Sequence, residues 1–119
     1  VRGIATSGWR GRSLSLGIAD AVTVLAKSAA VADVAATLIA NEVIVDFPGI
    51  EKRPASEVKD DSDLGMIPVT VAVPDLAEDK ISMALEQGAK TARKFIKAGK
   101  ITAAYLSLQK QTLVIDNQL

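Results

Sequence analysis

The chain has 119 residues, the length of one domain or of part of a larger one, and 49% of them are hydrophobic, enough for an aliphatic core. Its 14 basic residues balance its 14 acidic residues, so net charge favours neither nucleic acid nor an anionic membrane as a partner. The chain has no cysteine and no histidine, which excludes disulfides and imidazole ligands, so any bound metal must be held by oxygen, as magnesium, calcium or manganese are.

The first predicted element is a strand over residues 1–6 that ends in a loop rich in hydroxyl groups, glycine and arginine, with the sequence TSGWRGRS. Glycine lets a backbone turn tightly beside a ligand, and arginine binds phosphate with a planar fork. The candidate ligand-binding residues of this loop are Thr6, Ser7, Gly8, Arg10 and Arg12. A polar turn with exposed arginines is the alternative, and the pattern taken alone favours it, because this is not a known phosphate-loop fingerprint.

The next elements are a short strand over residues 13–16, a buried β-branched strand over residues 21–26, and a helix that ends at Asn41. Asp20 stands at the entrance of the buried strand, where a turn residue is a better interpretation than a site residue. Ser28 is the predicted N-cap of the helix.

The helix is slim because alanine dominates it, and its larger apolar residues are Val31, Val34, Leu38 and Ile39. Asp33 and Thr37 lie four residues apart and therefore share one face, which we expect to be closely packed. They could be metal ligands. Alternatively, Asp33 is an exposed helix residue or pairs with an arginine of the first loop.

The second half of the chain is predicted to contain strands over residues 43–47 and 68–73 and a helical turn over residues 54–58. A charged run, KDDSD, falls between them and is interpreted as a solvated loop, since it lacks a full calcium-loop pattern. A long amphipathic helix over residues 77–98 follows, with an acidic capping pattern at Asp75 and Glu78 and Gly99 after its end. Its basic C-terminal half suits the helix dipole.

The chain ends in a predicted hairpin of strands over residues 101–108 and 112–115, joined at Lys110 and Gln111. This order of elements predicts a mixed α+β fold in which antiparallel strands pack against two main helices. No apolar run reaches the roughly 18 residues that a membrane span needs.

The segments GIATSG (residues 3–8) and ADVAAT (residues 32–37) resemble the ApbE superfamily of magnesium-dependent FAD:protein FMN transferases. The run over residues 1–41 is most similar to uncharacterised ApbE-like bacterial and archaeal proteins. The resemblance implies a T-fold-like architecture and a chain that is the C-terminal half of a larger domain, whereas its length alone also allows a single domain over residues 1–119. It also implies that Asp33 and Thr37 bind Mg²⁺ and that Thr6, Ser7 and Gly8 line a flavin (FAD or FMN) site.

The chain departs from the superfamily because it has no histidine motif after the first loop, where Trp9 and Arg10 stand. Two functions therefore follow from the resemblance. One is magnesium-dependent flavin binding with FMN transfer to protein, in which Arg10 and Arg12 hold phosphate oxygens. The other is a non-catalytic protein that binds a flavin, a nucleotide or another phosphate ligand.

The expected partners are a phosphate-containing small molecule, together with an upstream half or a second chain that completes the fold, or further copies in a homo-oligomer. No nucleic acid or membrane partner is expected, and the expected location is the cytoplasm.

Overall fold

A four-stranded antiparallel sheet covered on one face by two long helices forms most of the molecule in the computed structural model, which describes residues 2–10, 14–58 and 65–116. The elements are β1 (Gly3–Ser7), β2 (Ala21–Ala26), α1 (Ala29–Glu42), β3 (Glu51–Pro54), α2 (Ala55–Val58), β4 (Pro68–Ala72), α3 (Glu78–Lys97), β5 (Ala103–Leu108) and β6 (Gln111–Asp116). The predicted mixed α+β fold, with antiparallel strands against two main helices, is confirmed.

The strand order of the main sheet is β1-β2-β5-β6, and β3 and β4 pair separately as a small two-stranded sheet. The β1–β2 register pairs Ser7 with Val22, so the segment after β1 lies opposite the entrance of β2. The β5–β6 hairpin is confirmed, but its turn is formed by Gln109 and Lys110, one residue earlier than predicted. Gln109 adopts the left-handed conformation there, with φ of 50°.

The two faces of the main sheet differ in what covers them. Alternate residues of β2 and β5 are fully or almost fully buried under the helices: Val22, Val24, Ala26, Ala104, Leu106 and Leu108. The intervening residues point to the opposite face, which no described element covers, and Tyr105 and Val114 remain 43% and 55% exposed there. The core is therefore a single layer between one sheet face and the helices.

Helix α1 begins as predicted, because the Oγ of Ser28 accepts a hydrogen bond of 3.2 Å from the backbone N–H of Val31. It packs its alanine side against the sheet, and of its four larger apolar residues only Ile39 is buried. A Cβ on Gly3 would fall inside the backbone of Ser28, so helix and strand are in very close contact. Because only small side chains fit between them, Val31, Val34 and Leu38 lie on the outward side.

Helix α3 has the predicted amphipathic pattern, with Ile81, Leu85 and Gly88 among its buried residues. Gly99 follows its C-cap with φ of +73°, as expected of a residue that ends a helix. The predicted capping pattern is wrong: the N-cap is Ala77, which has no side-chain capping hydrogen bond. Asp75 lies two residues earlier, because the chain after Pro74 stays extended until Ala77.

Several other local predictions change in the structure. Residues 43–47 form no strand, and residues 14–16 are likewise irregular. The carbonyl of Ser15 accepts one hydrogen bond of 2.9 Å from the N–H of Thr70 in β4, but neither segment pairs with a strand through a ladder of hydrogen bonds among the described residues. The charged segment over residues 51–54 is strand β3, which pairs with β4, and α2 is the predicted helical turn. The KDDSD run lies outside the described residues. In the described part of the chain, no helix is long and apolar enough to cross a membrane.

Candidate functional site

The predicted ligand loop begins at the end of edge strand β1. The hydroxyl groups of Thr6 and Thr23 lie 2.8 Å apart across the β1–β2 pair and form an exposed hydrogen bond. Gly8 lies so close to the backbone carbonyl of Asp20 that a Cβ would not fit. The glycine is therefore required by the contact between the loop and the start of β2. Arg12, the last predicted member of the loop, lies outside the described residues.

The carboxylate of Asp20 contacts two other segments in this region. Its Oδ1 lies 3.4 Å from the Nε of Arg10, and its Oδ2 accepts a hydrogen bond of 2.7 Å from the backbone N–H of Gln109. The side chain of Gln109 in turn accepts from the N–H of Leu76 and donates to the carbonyl of Pro74. One carboxylate thus ties the β1 loop to the β5–β6 turn and, through Gln109, to the segment before α3.

Arg10 therefore pairs with Asp20 and not with Asp33, which corrects the prediction of an Arg10–Asp33 pair. The reason is the antiparallel β1–β2 register, which places the residues after β1 beside the residues before β2. The other predicted partner of Asp33, Arg12, lies outside the described residues. The sequence did contain a signal for the Arg10–Asp20 pair, namely an acidic residue just before a strand and a loop with arginines after the preceding strand. Nothing in the sequence indicated Gln109, because it lies 89 positions from Asp20 along the chain.

The indole of Trp9 adds an unusual feature to the loop. Its Nε1 is buried and has no hydrogen-bond partner among the described residues, although native structures pair nearly all such donors. The guanidinium of Arg10 lies over the same ring, 5.1 Å from its centroid. The loop thus has one donor without an acceptor beside an arginine whose side chain is 68% exposed.

Asp33 and Thr37 share one side of α1, as predicted, but this side is not closely packed. Asp33 is exposed and Thr37 is partly exposed, and the Thr37 hydroxyl donates a hydrogen bond of 2.9 Å to the backbone carbonyl of Asp33. Both side chains lie on the side of α1 away from α3, because Val31, Ala35 and Leu38, which line a groove together with Phe95 of α3, are about 100° or more around the helix. That side faces the β1 edge of the sheet.

The two predicted groups therefore lie at the same edge of the molecule. Helix α1 packs on β1 and β2. Its C-terminal end contacts the irregular segment that precedes β2, because the Oδ1 of Asn41 accepts a hydrogen bond of 3.0 Å from the N–H of Leu16. No hydrogen bond or ion pair joins Asp33 or Thr37 to residues 6–10 in the described part of the chain. The edge is shared, and the two groups are not in direct contact.

These residues can supply part of a magnesium site. The Thr37 hydroxyl keeps its oxygen lone pairs while it donates its proton, and the Asp33 carboxylate is accessible. Two oxygen ligands fit Mg²⁺ only if water and ligand phosphates complete the octahedral shell. Within residues 2–10, 14–58 and 65–116, no group of three or more acidic, histidine or cysteine side chains could hold a metal by itself.

Three surface cavities of about 360, 380 and 410 Å³ lie elsewhere and are not lined by the predicted site residues. The first lies between α1 and α3, and the other two flank the extended segment over residues 43–47. On the outer side of α3, a hydrogen bond from Arg93 lowers the pKa of Glu86. That ion pair is solvent-exposed and distant along the fold from the β1 edge.

Comparison with protein families gives a match over residues 1–114 to the family described as "AbpE bacteria". The chain belongs to this family. The match extends from β1 through most of β6, so membership in the AbpE bacteria family covers the whole folded unit and not the β1–α1 motif alone. No curated protein matches the chain, and no solved structure matches it.

Proposed function

We propose that this chain is an ApbE-like protein that binds a phosphate-containing small molecule, with FAD or FMN as the leading candidate, together with Mg²⁺ at the β1 edge. The observation that carries the proposal is the shared position of the TSG loop and of the Asp33–Thr37 side of α1 at that edge. The name of the AbpE bacteria family and the two sequence motifs support a relation to the ApbE superfamily.

The chemistry of the edge suits an anionic ligand. Trp9 offers a buried N–H without an acceptor among the described residues, and Arg10 offers an exposed guanidinium. Ser7, in register with the buried Val22, offers a hydroxyl group on the helix side of β1, whereas Thr6 points to the open sheet face. Arginine and neutral N–H donors bind phosphate oxygens well. A magnesium ion held by Asp33 and Thr37 would neutralise the charge of a pyrophosphate.

Binding without turnover is the better supported of the two functions. The chain has no histidine to act as a general base. Asp20, the carboxylate beside the loop, is already occupied by Arg10 and by the N–H of Gln109. FMN transfer to protein is the second candidate, and the motif likeness around Asp33 and Thr37 favours it.

Calorimetric titration with FAD, FMN and ATP, each with and without MgCl₂, tests the binding proposal. We expect micromolar flavin binding that magnesium strengthens and that Asp33→Ala weakens by about tenfold, since one lost charge-assisted ligand contact is worth about 1.4 kcal/mol or more. Asp46→Ala is the matched control, because Asp46 is equally an exposed aspartate but lies outside the edge. Unchanged affinity in Asp33→Ala would remove the metal role.

Intact-mass measurement separates the two functions. The protein is incubated with FAD, MgCl₂ and candidate acceptor proteins, beside an active FMN transferase as the positive control. An FMN adduct on the acceptor that disappears with Asp33→Ala establishes transfer. Flavin binding without an adduct and without cleavage of FAD establishes the non-catalytic function.

The proposal also includes a partner layer on the uncovered sheet face, formed by a second copy or by another part of a longer chain. Its support is the composition of that face, where Ile4, Leu25, Tyr105 and Val114 lie among alanine and hydroxyl residues. Of the face's side chains in register, only Asp116 is charged. A cytoplasmic location stays a prediction, which cell fractionation tests.

A further inference from the structure

The outward side of α1 is apolar, although it faces solvent. Val31, Val34 and Leu38 are 39%, 58% and 46% exposed, while the opposite side of the same helix is buried against the sheet. A helix side that is apolar and exposed, next to a side that is already buried, is normally covered by another element or a partner. α1 therefore carries a second contact surface that the described fold does not use.

This surface is one wall of a groove of about 360 Å³, which we call the α1–α3 groove. The groove is lined by Ala30, Val31, Val34, Ala35, Leu38, Phe95 and Lys100. From Ala30 to Leu38 it extends over two helical turns, or about 12 Å. That length matches anchors at positions i, i+4 and i+7 of a docked helix.

Almost no polar surface is present in the groove, and this determines what kind of backbone can enter it. An extended peptide would bring unpaired N–H and C=O groups into a surface with no partners for them, at a cost of about 1–3 kcal/mol for each buried group. A helix satisfies its own backbone groups, so only its side chains need a complementary surface. The lining therefore favours a helical occupant.

The charged residue that lines the groove, Lys100, is basic. The last turn of α3, which contributes Phe95 to the lining, also contains Lys94 and Lys97. From position 87 to position 102 the sequence contains five basic residues and no acidic residue. The two acidic residues of α1 are Asp33, on the other side of that helix, and Glu42, one turn beyond the groove residue Leu38. An occupant with acidic residues beside its apolar stripe would be complementary in charge.

We propose that the α1–α3 groove is a docking site for an amphipathic helix of a partner protein, apolar along one side and acidic along its flanks. A second copy of this chain docked through the same groove would bring its own lysines beside these lysines. The described helices of the chain also lack an acidic amphipathic side of this kind. A bilayer surface fits poorly because the apolar side chains line a concave groove.

Fluorescence anisotropy on the whole 119-residue protein tests this proposal. The probe is a labelled helical peptide of about 18 residues with leucine at i, i+4, i+7 and i+11 and glutamate on both flanks. We expect binding in the micromolar range, and at least tenfold weaker binding for the same peptide with lysine in place of glutamate. A peptide of the same composition with scattered leucines should not bind.

Two protein variants locate the site. Val34→Asp and Lys100→Glu should each weaken binding of the glutamate peptide by about tenfold or more. Val34→Asp places a charge in the apolar wall of the groove, and Lys100→Glu reverses the sign of the charge beside it. Met83→Asp is the matched control, because Met83 is 50% exposed on α3 outside the groove. Exposed positions tolerate such changes, and circular dichroism confirms that each variant is folded.

The proposal is overturned by three results. The first is no binding at about 0.5 mM peptide, which is weaker than a specific helix-in-groove contact. The second is equal binding to the protein and to its Val34→Asp variant. The third is concentration-dependent self-association, or sedimentation with phosphatidylglycerol vesicles, that Val34→Asp abolishes, since either would assign the surface to a second copy or to a membrane.

Discussion

At the scale of single residues, the polar groups of this chain differ mainly in whether tertiary structure has given them partners. Asp20 is half-buried and uses both carboxylate oxygens, whereas Asp33 is exposed and keeps its carboxylate accessible. The first arrangement stabilises the fold, and the second leaves a group available for a ligand. Substitutions at Asp20 and at Thr70 measure how much a hydrogen-bond partner, or the lack of one, changes stability.

Asp20→Ala should destabilise the protein by about 1–3 kcal/mol, because the partly buried N–H of Gln109 loses its acceptor and Arg10 loses its partner. Asp20→Asn should cost less, since an amide oxygen can still accept from Gln109. Urea denaturation measures both free energies of unfolding, with Asp46→Ala as an exposed control. Equal stability of Asp20→Ala and the parent protein would contradict the structural role of this carboxylate.

Thr70→Val should stabilise the protein by up to about 1 kcal/mol. Thr70 is only 4% exposed, and its Oγ1 is buried without a hydrogen-bond partner in the described part of the chain. Replacing that hydroxyl by a methyl group removes an unsatisfied polar atom at constant shape. Thermal unfolding compares it with Thr112→Val, an exposed strand position where little change is expected. A lower melting temperature for Thr70→Val would show that the hydroxyl has an acceptor in solution.

At the scale of elements, close approach between helix and strand determines which residues the fold can accept. Gly3 lies against the backbone at the start of α1, and Gly88 of α3 lies against side chains of Val43 and Leu106. From its composition alone, α1 could bury either its alanine side or the side with Val31, Val34 and Leu38. It buries its alanine side because the contact with β1 is too close for valine or leucine.

Gly3→Ala should be much more destabilising than Gly88→Ala. The Cβ at position 3 would overlap main-chain atoms of Ser28 and Ala29, which cannot move without displacing α1. At position 88 a Cβ would meet the Val43 Cγ2 at 2.5 Å and the Leu106 Cδ2 at 2.9 Å, which are side-chain atoms of buried core residues and not main-chain atoms. We expect the free energy of unfolding to fall by about 3 kcal/mol or more in Gly3→Ala and by about 1 kcal/mol in Gly88→Ala. The second value is smaller partly because alanine has a better helix propensity than glycine.

Chemical denaturation gives both values, and Gly99→Ala provides a useful comparison. Gly99 has open space around its Cβ position but φ of +73°, so its cost comes from backbone conformation alone. If Gly3→Ala proved no more harmful than Gly99→Ala, the close β1–α1 contact would be contradicted.

At the scale of the whole molecule, the main sheet is covered on one side only. Its open face has a row of Thr6, Thr23, Tyr105 and Val114 in register across four strands, next to a row that contains Ile4 and Leu25. Charged side chains are scarce on this face, although they make up 24% of the chain. Such a face is suited to sheet packing against a second layer.

Tyr105→Glu should therefore reduce self-association of the isolated chain. We expect light scattering after size-exclusion chromatography to show a dimer or larger assembly for the parent protein at about 100 μM, and a shift toward monomer for the variant, since a buried unpaired charge is costly. Met83→Glu, on the helical side of the molecule, is the control and should leave the assembly unchanged. A parent protein that is monomeric at this concentration would contradict packing with a second copy.

The sequence by itself determined the features that depend on local physical chemistry. Runs of β-branched residues predicted β2 and β4. An alanine-rich segment predicted α1, an amphipathic pattern predicted α3, and Ser28 and Gly99 predicted the start of α1 and the end of α3. The i,i+4 geometry of Asp33 and Thr37 also follows from the helix alone. These features need only short-range sterics and hydrogen bonds, which are the same in any tertiary context.

Only the tertiary structure decided which strands have partners and which side chains meet. The run over residues 43–47 has strand propensity but no described strand beside it, whereas the charged residues of β3 pair with β4. Arg10 meets Asp20 because two strands pair antiparallel, and Gln109 joins them from the far end of the chain. The apolar side of α1 faces outward because its alanine side fits closer to the sheet, a competition between packing surfaces that no single segment contains.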